Sequence, residues 1–222
     1  KALSKSQIVM ISLGGAIAND VHGKNHHRAG SFGAHVESFE LLRSDGRLLR
    51  CSPAENAELF AATIGGLGLT GLVLTARFRL LKIPGPLIRG EVIKFGGLAE
   101  FFELSAESND THEYTVSWVD CMATGRSLGR GLFSRGNHCA VEDAGTHVMM
   151  SELENWPEAR WQARRRPGVP FTPPISMVNR LSVAAFNPLY YARQRAQRRE
   201  VVWSYEPFFY PLDGISNWNR MY

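Results

Sequence analysis

The chain has 222 residues, 44% of them hydrophobic and 10% aromatic, with a formal charge of +4. That is enough for one large packed domain or two small ones, and it excludes a disordered or low-complexity chain. No apolar run approaches the roughly 20 residues of a membrane-spanning helix, Lys1–Met10 lacks the core of a signal peptide, and three scattered cysteines favour reduced thiols in a reducing compartment.

Ile8 to Leu13 reads as a short buried strand running into Gly14-Gly15. Val36–Arg43 and Arg47–Cys51 flank Ser44-Asp45-Gly46, a hairpin signal with Asp-Gly at the turn. Ser52-Pro53-Ala54-Glu55 has the form of a capping box, predicting a helix to about Thr63 that buries Leu59 and Phe60 and stops at Gly65-Gly66. Leu72–Leu81 follows as a strand, and Pro84-Gly85-Pro86 interrupts it as a linker between residues 1–83 and 87–222. Beyond it, Gly90–Phe95 reads as a strand, Leu98–Glu107 as a helix and Glu113–Cys121 as a strand. A loop-rich stretch then leads through Trp156–Pro174, whose prolines and arginines predict mobility, to a strand at Val201–Tyr210 and a last helical stretch after Pro211. The fold class expected is α+β, with an antiparallel sheet in the second half.

Residues 151–222 hold ten arginines against six carboxylates, so the whole formal excess of +4 lies there. Arg164–Arg166 and the run Arg193, Arg195, Arg198, Arg199 form a patch suited to anionic lipid, a phosphorylated substrate or nucleic acid, or simply a solvated helix face. No helix-turn-helix, RNA-binding or zinc-finger signature accompanies it, so nucleic acid is not expected. A non-catalytic module with a basic surface is the alternative from outside enzymology.

The richest stretch is Gly14-Gly-Ala-Ile-Ala-Asn-Asp-Val-His-Gly-Lys-Asn-His-His, ending at His27. Three readings compete for it. Asp20, His22, His26 and His27 are metal-ligand types, but no H-E-x-x-H or comparable spacing is present, and no metal is expected. A structural turn with satisfied histidines is the second reading. The third is a cofactor-facing loop in which small residues allow close backbone approach and His22 with Lys24 forms a polar catalytic pair. Gly66-Leu-Gly68-Leu-Thr-Gly71 matches G-x-G-x-x-G, yet it follows a helix and precedes a strand, the reverse of a dinucleotide-binding turn.

That stretch, with Gly30-Ser-Phe-Gly-Ala-His-Val, Thr63-Ile-Gly-Gly-Leu-Gly-Leu-Thr-Gly, Ser117-Trp-Val-Asp, Tyr210-Pro-Leu-Asp and Trp218-Asn-Arg-Met-Tyr, resembles the FAD-linked oxidases of the vanillyl-alcohol-oxidase superfamily. The resemblance implies the second lobe of a two-lobed FAD-binding domain over 1–83, then part of an α+β substrate-binding domain over 87–222. It implies FAD contacts at Ser12, Leu13, Gly14, Gly15, Asn19, Asp20, Val21, His22 and Val73. Asn19 stands where the best-known members have cysteine. His22 and Lys24 are the implied catalytic residues, with Lys24, Trp118 and Tyr210 lining the substrate side.

The implied reaction is oxidation of a secondary alcohol on a sugar or polyprenyl-phosphate sugar, hydride passing to flavin N5 while a base takes the hydroxyl proton. An aldonolactone or alditol oxidase of the same superfamily is the alternative. The family's first flavin lobe and a flavin-proximal lysine are expected outside the stretch Lys1–Tyr222, which makes this chain resemble a fragment. Alone it is then expected to be inactive, to hold FAD poorly and to self-associate. A partner reductase, peripheral membrane contact, and a location in the cytoplasm or at the inner membrane complete these expectations.

Overall fold

A computed structural model describes residues 12–144, 168–174, 176–210 and 216–221. Two compact units divide between Lys82 and Ile83.

The first unit is a three-stranded antiparallel sheet, ordered β2-β1-β3, with short helices against it. Its elements are α1 (Leu13–Ala18), α2 (His26–Ala29), β1 (Val36–Leu42), β2 (Leu48–Cys51), α3 (Ala57–Thr63) and β3 (Leu72–Phe78). The Asp-Gly hairpin forms as read: Gly46 takes φ +83°, and Arg43 and Gly46 close the turn through their amides. Ile17, Val36, Phe39, Leu41, Cys51 and Phe60 form the core, and the Phe39 and Phe60 rings stack with centroids 5.2 Å apart.

Three expectations for this unit are corrected. The capping box is a closed turn instead: Ser52 and Glu55 exchange backbone hydrogen bonds of 2.8 and 3.2 Å, and Ser52 Oγ accepts from the Ala54 and Glu55 amides. The helix begins only after Asn56, a left-handed residue whose side chain donates to the Arg50 carbonyl. The strand expected over Ile8–Leu13 does not reach its end, because Ser12 Oγ accepts from Gly15 N and caps α1; Ile8–Ile11 lie outside the described residues. Strand β3 ends at Phe78, and Leu80 and Leu81 stand exposed beyond it.

The second unit is a four-stranded antiparallel sheet ordered β5-β6-β4-β7. It comprises β4 (Leu87–Phe95), α4 (Leu98–Ser108), β5 (Tyr114–Val119), β6 (Gly131–Cys139), α5 (Arg180–Arg193), β7 (Arg198–Ser204) and α6 (Tyr205–Phe209). Strands β4 and β6 pair from Leu87 opposite Cys139 to Phe95 opposite Gly131. Alternation along the strands divides the two faces. On one, Ile93, Phe95 and Phe133 pack with Leu104 and Phe101 of α4. On the other, Ile88 and Tyr114 pack with Phe208 of α6, joined by Trp203 and Phe209. Pro84-Gly85-Pro86 belongs to this unit. A Cβ on Gly85 would lie 2.5 Å from the Cys139 carbonyl, and His138 Nδ1 bonds the Gly85 carbonyl at 2.8 Å.

The loop-rich reading after Cys121 is corrected by β6 and α5. The charge of buried Arg135 in β6 is met by Glu91, Glu107 and Ser108 Oγ, at 2.9, 3.0 and 3.0 Å. Helix α5 tolerates Pro188, and Asn179 and Ser182 form its capping box. The strand expected at Val201–Tyr210 starts at Arg198 and gives way to α6 at Tyr205. Most of Trp156–Pro174, where mobility was expected, lies outside the described residues.

Candidate functional site

The glycine-histidine stretch is built on α1 and the turn that follows it. Asn19 donates through Nδ2 to the Gly15 carbonyl at 2.9 Å, closing the helix end. Asp20 then turns left-handed at φ +43°. Its carboxylate accepts from Ser31 Oγ at 2.7 Å and from Gly33 N at 2.8 Å, while Phe32 N bonds the Val21 carbonyl at 2.8 Å. Gly33 has to be bare: a Cβ there would meet Ile64 Cγ2 at 2.4 Å and Asp20 Oδ1 at 2.8 Å. Asp20 is thus the clamp that fixes the His22–Lys24 backbone to the turn at Ser31–Gly33.

The G-x-G-x-x-G run has a structural role of its own. Gly65, Leu67, Gly68 and Gly71 all take positive φ, and the amides of Gly65 and Leu67 donate to the Ile17 and Ala18 carbonyls at 2.9 and 2.7 Å. These bonds cover the open carbonyls at the C-terminal end of α1. The run from Gly65 is thereby tied to the end of α1, where the His22–Lys24 stretch begins.

His22 is exposed, its ring edge-on to His26 at 5.2 Å. Lys24 is half-buried, and desolvation pushes its ammonium pKa down to about 8. Gly14 lies over Val73, with room for a methyl at an ordinary 3.8 Å from Val73 Cβ. Ser12 and Leu13 are exposed at the head of α1. The residues from Ser12 to Lys24, with Val73, therefore share one unit. Among the described residues, no group of three or more His, Cys, Asp or Glu side chains is arranged to hold a metal ion.

Trp118 and Tyr210 belong to the second unit and have different neighbours. The Trp118 ring meets Tyr190 of α5 edge-on at 4.8 Å, and Tyr190 stacks on Phe186 at 5.5 Å. Tyr210 follows α6 and contacts Phe209 at 6.3 Å. Tyr114, four residues before Trp118 on the same face of β5, contacts Phe209 at 4.9 Å. Burial pushes its hydroxyl pKa up to about 12, so Tyr114 is a neutral packing group at pH 7.

Sequence reasoning missed the node behind Trp118. Asp120 is buried; it accepts from Arg130 Nε and Nη2 at 3.1 and 2.9 Å, from Asn187 Nδ2 at 2.7 Å and from Met122 N at 3.1 Å. Arg130 and Lys94 both lie over the Tyr191 ring, whose hydroxyl donates to the Phe95 carbonyl. The Asp in Ser117-Trp-Val-Asp was visible, but its partner on α5, Asn187, lies 67 residues away.

No family model matches the chain. It is 32% identical over 214 residues to decaprenylphosphoryl-beta-D-ribose oxidase of Mycolicibacterium smegmatis, covering 96% of this chain and 45% of that protein. An uncharacterized protein in the mprA 5' region of Streptomyces coelicolor is 33% identical over 85% of this chain and 50% of its own length. D-arabinono-1,4-lactone oxidase of Debaryomyces hansenii is 32% identical over 87 residues, which is 39% of this chain and 15% of that one. These matches bear out the resemblance to FAD-linked oxidases that the motifs carry. It spans about half the length of the first two of these relatives.

Proposed function

We propose that this chain carries one side of the flavin site and part of the substrate side of an FAD-dependent oxidoreductase that oxidises a secondary alcohol of a sugar or polyprenyl-phosphate sugar. The observation that carries the reading is the similarity to decaprenylphosphoryl-beta-D-ribose oxidase across 96% of the chain. The unit ending at Lys82 is assigned to the flavin and the unit starting at Ile83 to the substrate.

The residues fit such a cofactor on one structural ground. Helix α1 spends two of its six positions on glycine, yet a methyl on Gly14 would meet nothing closer than 3.8 Å. Glycine costs up to about 1 kcal/mol relative to alanine inside a helix, and no packing contact of Gly14 accounts for its use here. Close approach of a flat body to that backbone does. Ser12, Leu13, Gly14, Gly15, Asn19, Val21 and Val73 would hold the flavin, with His22 against it. Asp20 contributes through its turn, since its carboxylate is engaged by Ser31 and Gly33. Bound FAD supplies a two-electron acceptor for the hydride of the carbinol carbon.

The chain's own residues handle the proton. Lys24, with a pKa of about 8, is mainly cationic at pH 7 and can donate to the substrate hydroxyl oxygen, stabilising negative charge that develops there. His22 is the group able to hold the hydroxyl proton. The second reading, an aldonolactone oxidase, rests on the shorter match to D-arabinono-1,4-lactone oxidase.

The test is anaerobic reduction of the flavin-loaded enzyme. Bleaching by a polyprenylphosphoryl pentose and not by an aldonolactone supports the first reading, and the reverse supports the second. A loaded enzyme bleached by neither overturns both. The 222-residue chain alone is expected to bind FAD below stoichiometry; one tightly held FAD per chain would refute the one-sided site.

A further inference from the structure

The turn between α5 and β7 is fastened to the sheet by two glutamines. Gln194, only 7% exposed, donates through Nε2 to the Val92 carbonyl at 2.8 Å. Gln197 makes the next attachment to β4: its Nε2 donates to the Lys94 carbonyl at 2.6 Å, and its own carbonyl accepts from Lys94 N at 2.8 Å. A connection fixed in this way has little backbone freedom left to lose when a ligand arrives. Its charges are all of one sign: Arg193 ends α5, Arg195 lies in the turn, and β7 opens with Arg198 and Arg199. Arg198 is used by the fold, paired with Glu91 at 3.3 Å. Arg193, Arg195 and Arg199 are exposed, and among the described residues no ion pair engages them.

Strand register decides where Arg199 stands. It lies opposite Val92, which pairs with Ser134, which pairs in turn with Val116. These four share one face of the sheet, and Trp118, two residues along β5 from Val116, is on that face too. Helix α5 lies against the same face, since Tyr190 meets Trp118 edge-on at 4.8 Å and Gln194 reaches Val92. Arg193 follows Tyr190 by three positions and Phe186 by seven, so these three share one side of the helix. Arg193 and Arg199 thus approach Val92 from the helix and from the neighbouring strand, beside the aromatic surface of Trp118 and Tyr190. A cation at a helix C-terminus is ordinary, but that accounts for Arg193 and not for Arg199. Aromatic rings suit the C–H face of a sugar, and paired guanidinium groups suit a phosphate.

We propose that Arg193 and Arg199 seat the phosphate of a phosphorylated sugar substrate whose sugar lies against Trp118 and Tyr190. The assignment rests on the polyprenylphosphoryl-sugar reading of the function. It makes the two arginines specificity determinants that favour a phosphodiester over a neutral lactone and take no part in hydride or proton transfer.

The experiment is calorimetric titration of the chain with farnesylphosphoryl ribose and with farnesyl riboside, the same molecule without its phosphate. The phosphorylated probe is expected to bind more tightly, with an advantage that shrinks as salt is raised. An Arg193→Gln, Arg199→Gln variant should lose about tenfold or more in affinity for that probe and hold the riboside as before. Its thermal unfolding should not change, and Arg47→Gln in the first unit should alter neither affinity. In the flavin-loaded enzyme the loss should appear in KM and not in kcat. Equal binding of the two probes, or undiminished binding of the phosphorylated one by the variant, overturns the proposal. A preference for phosphatidylglycerol vesicles over the soluble probe overturns it as well. Flavin bleaching by the phosphorylated sugar with KM unmoved in the variant would sink the seat and leave the activity standing. Arginine-dependent binding without bleaching would support the seat and overturn the activity.

Discussion

Asn187 of α5 donates to the Asp120 carboxylate at 2.7 Å, with both side chains buried. This bond fixes the helix one turn before Tyr190, whose ring supports Trp118 on β5. Asp120→Asn is expected to destabilise the second unit by about 3 kcal/mol, since it breaks the pair with Arg130 in a buried setting. Asn187→Leu should cost about 1–3 kcal/mol. Urea unfolding followed by tryptophan fluorescence measures both. The acid response carries the same signature. Burial alone would raise the Asp120 pKa, but hydrogen bonds from Asn187, Arg130 and the Met122 amide together hold it below the usual value. Its stabilising contribution is therefore complete above the unfolded pKa of about 3.9 and is lost as pH falls below that. The Asp120→Asn variant should lack this acid-sensitive component.

Arg135 makes a second buried connection, tying β6 to Glu91 of β4 and to Glu107 and Ser108 of α4. Arg135→Met should destabilise by about 3 kcal/mol, because Glu91 loses its closest cation inside the sheet. Adding Glu91→Gln should recover much of that loss. The double-mutant cycle in urea reads the coupling directly, and additive effects would show that the Arg135–Glu91 ion pair does not couple β6 to β4.

The hairpin, helix α4 and strands β3 to β5 were legible because their apolar periodicity and turn residues agree with their final environment. Strand β6 was hidden because Gly131, Ser134, Arg135, Gly136 and Asn137 break any period of two. Arg135 is buried only because carboxylates from two other elements reach it. Helix α5 was hidden for the opposite reason. Its one buried residue, Asn187, is polar, large apolar residues such as Leu181 and Leu189 stand exposed, and Pro188 lies inside it. Tertiary hydrogen bonds to Asp120 and Val92 decide its orientation, and those partners lie 67 and 102 residues away. At the candidate site, the composition of the His22–His27 stretch was visible. The Asp20 clamp and the bonds from the glycine run to α1 were hidden because each joins segments well separated in the chain.

Lys24 links the site to pH. Desolvation lowers its pKa from 10.5 to about 8, so the unfolded chain binds more protons between those values. Stability is therefore expected to rise with pH from about 8 to about 10.5, by about 1 kcal/mol once solvent screening of a half-buried group is allowed for. Lys24→Met should remove that rise and be no less stable at pH 7. In the flavin-loaded enzyme the same variant, and His22→Ala, should keep FAD but slow single-turnover flavin reduction by about 10²-fold. Near-normal reduction by His22→Ala would reduce His22 to a packing residue.

Gly14 and Gly33 offer the sharpest contrast between a glycine required by packing and one that packing leaves unexplained. A Cβ at Gly33 would press on Ile64 at 2.4 Å and on Asp20 at 2.8 Å, so Gly33→Ala must displace the clamp that sets the His22–Lys24 loop. It should destabilise the first unit by about 1–3 kcal/mol. Gly14 is helical and its nearest neighbour would be Val73 at 3.8 Å, an ordinary contact. Gly14→Ala should therefore leave stability unchanged or raise it by up to about 1 kcal/mol through helix propensity. If a flavin approaches that backbone, the added methyl must stand between them and weaken FAD binding about tenfold or more, a loss of about 1.4 kcal/mol. Thermal unfolding of the chain and FAD release from the loaded enzyme read the two effects separately. A Gly14→Ala protein that is as stable as the parent and holds FAD equally well would mean that nothing approaches α1 there, and the cofactor face would have to be sought elsewhere in the unit.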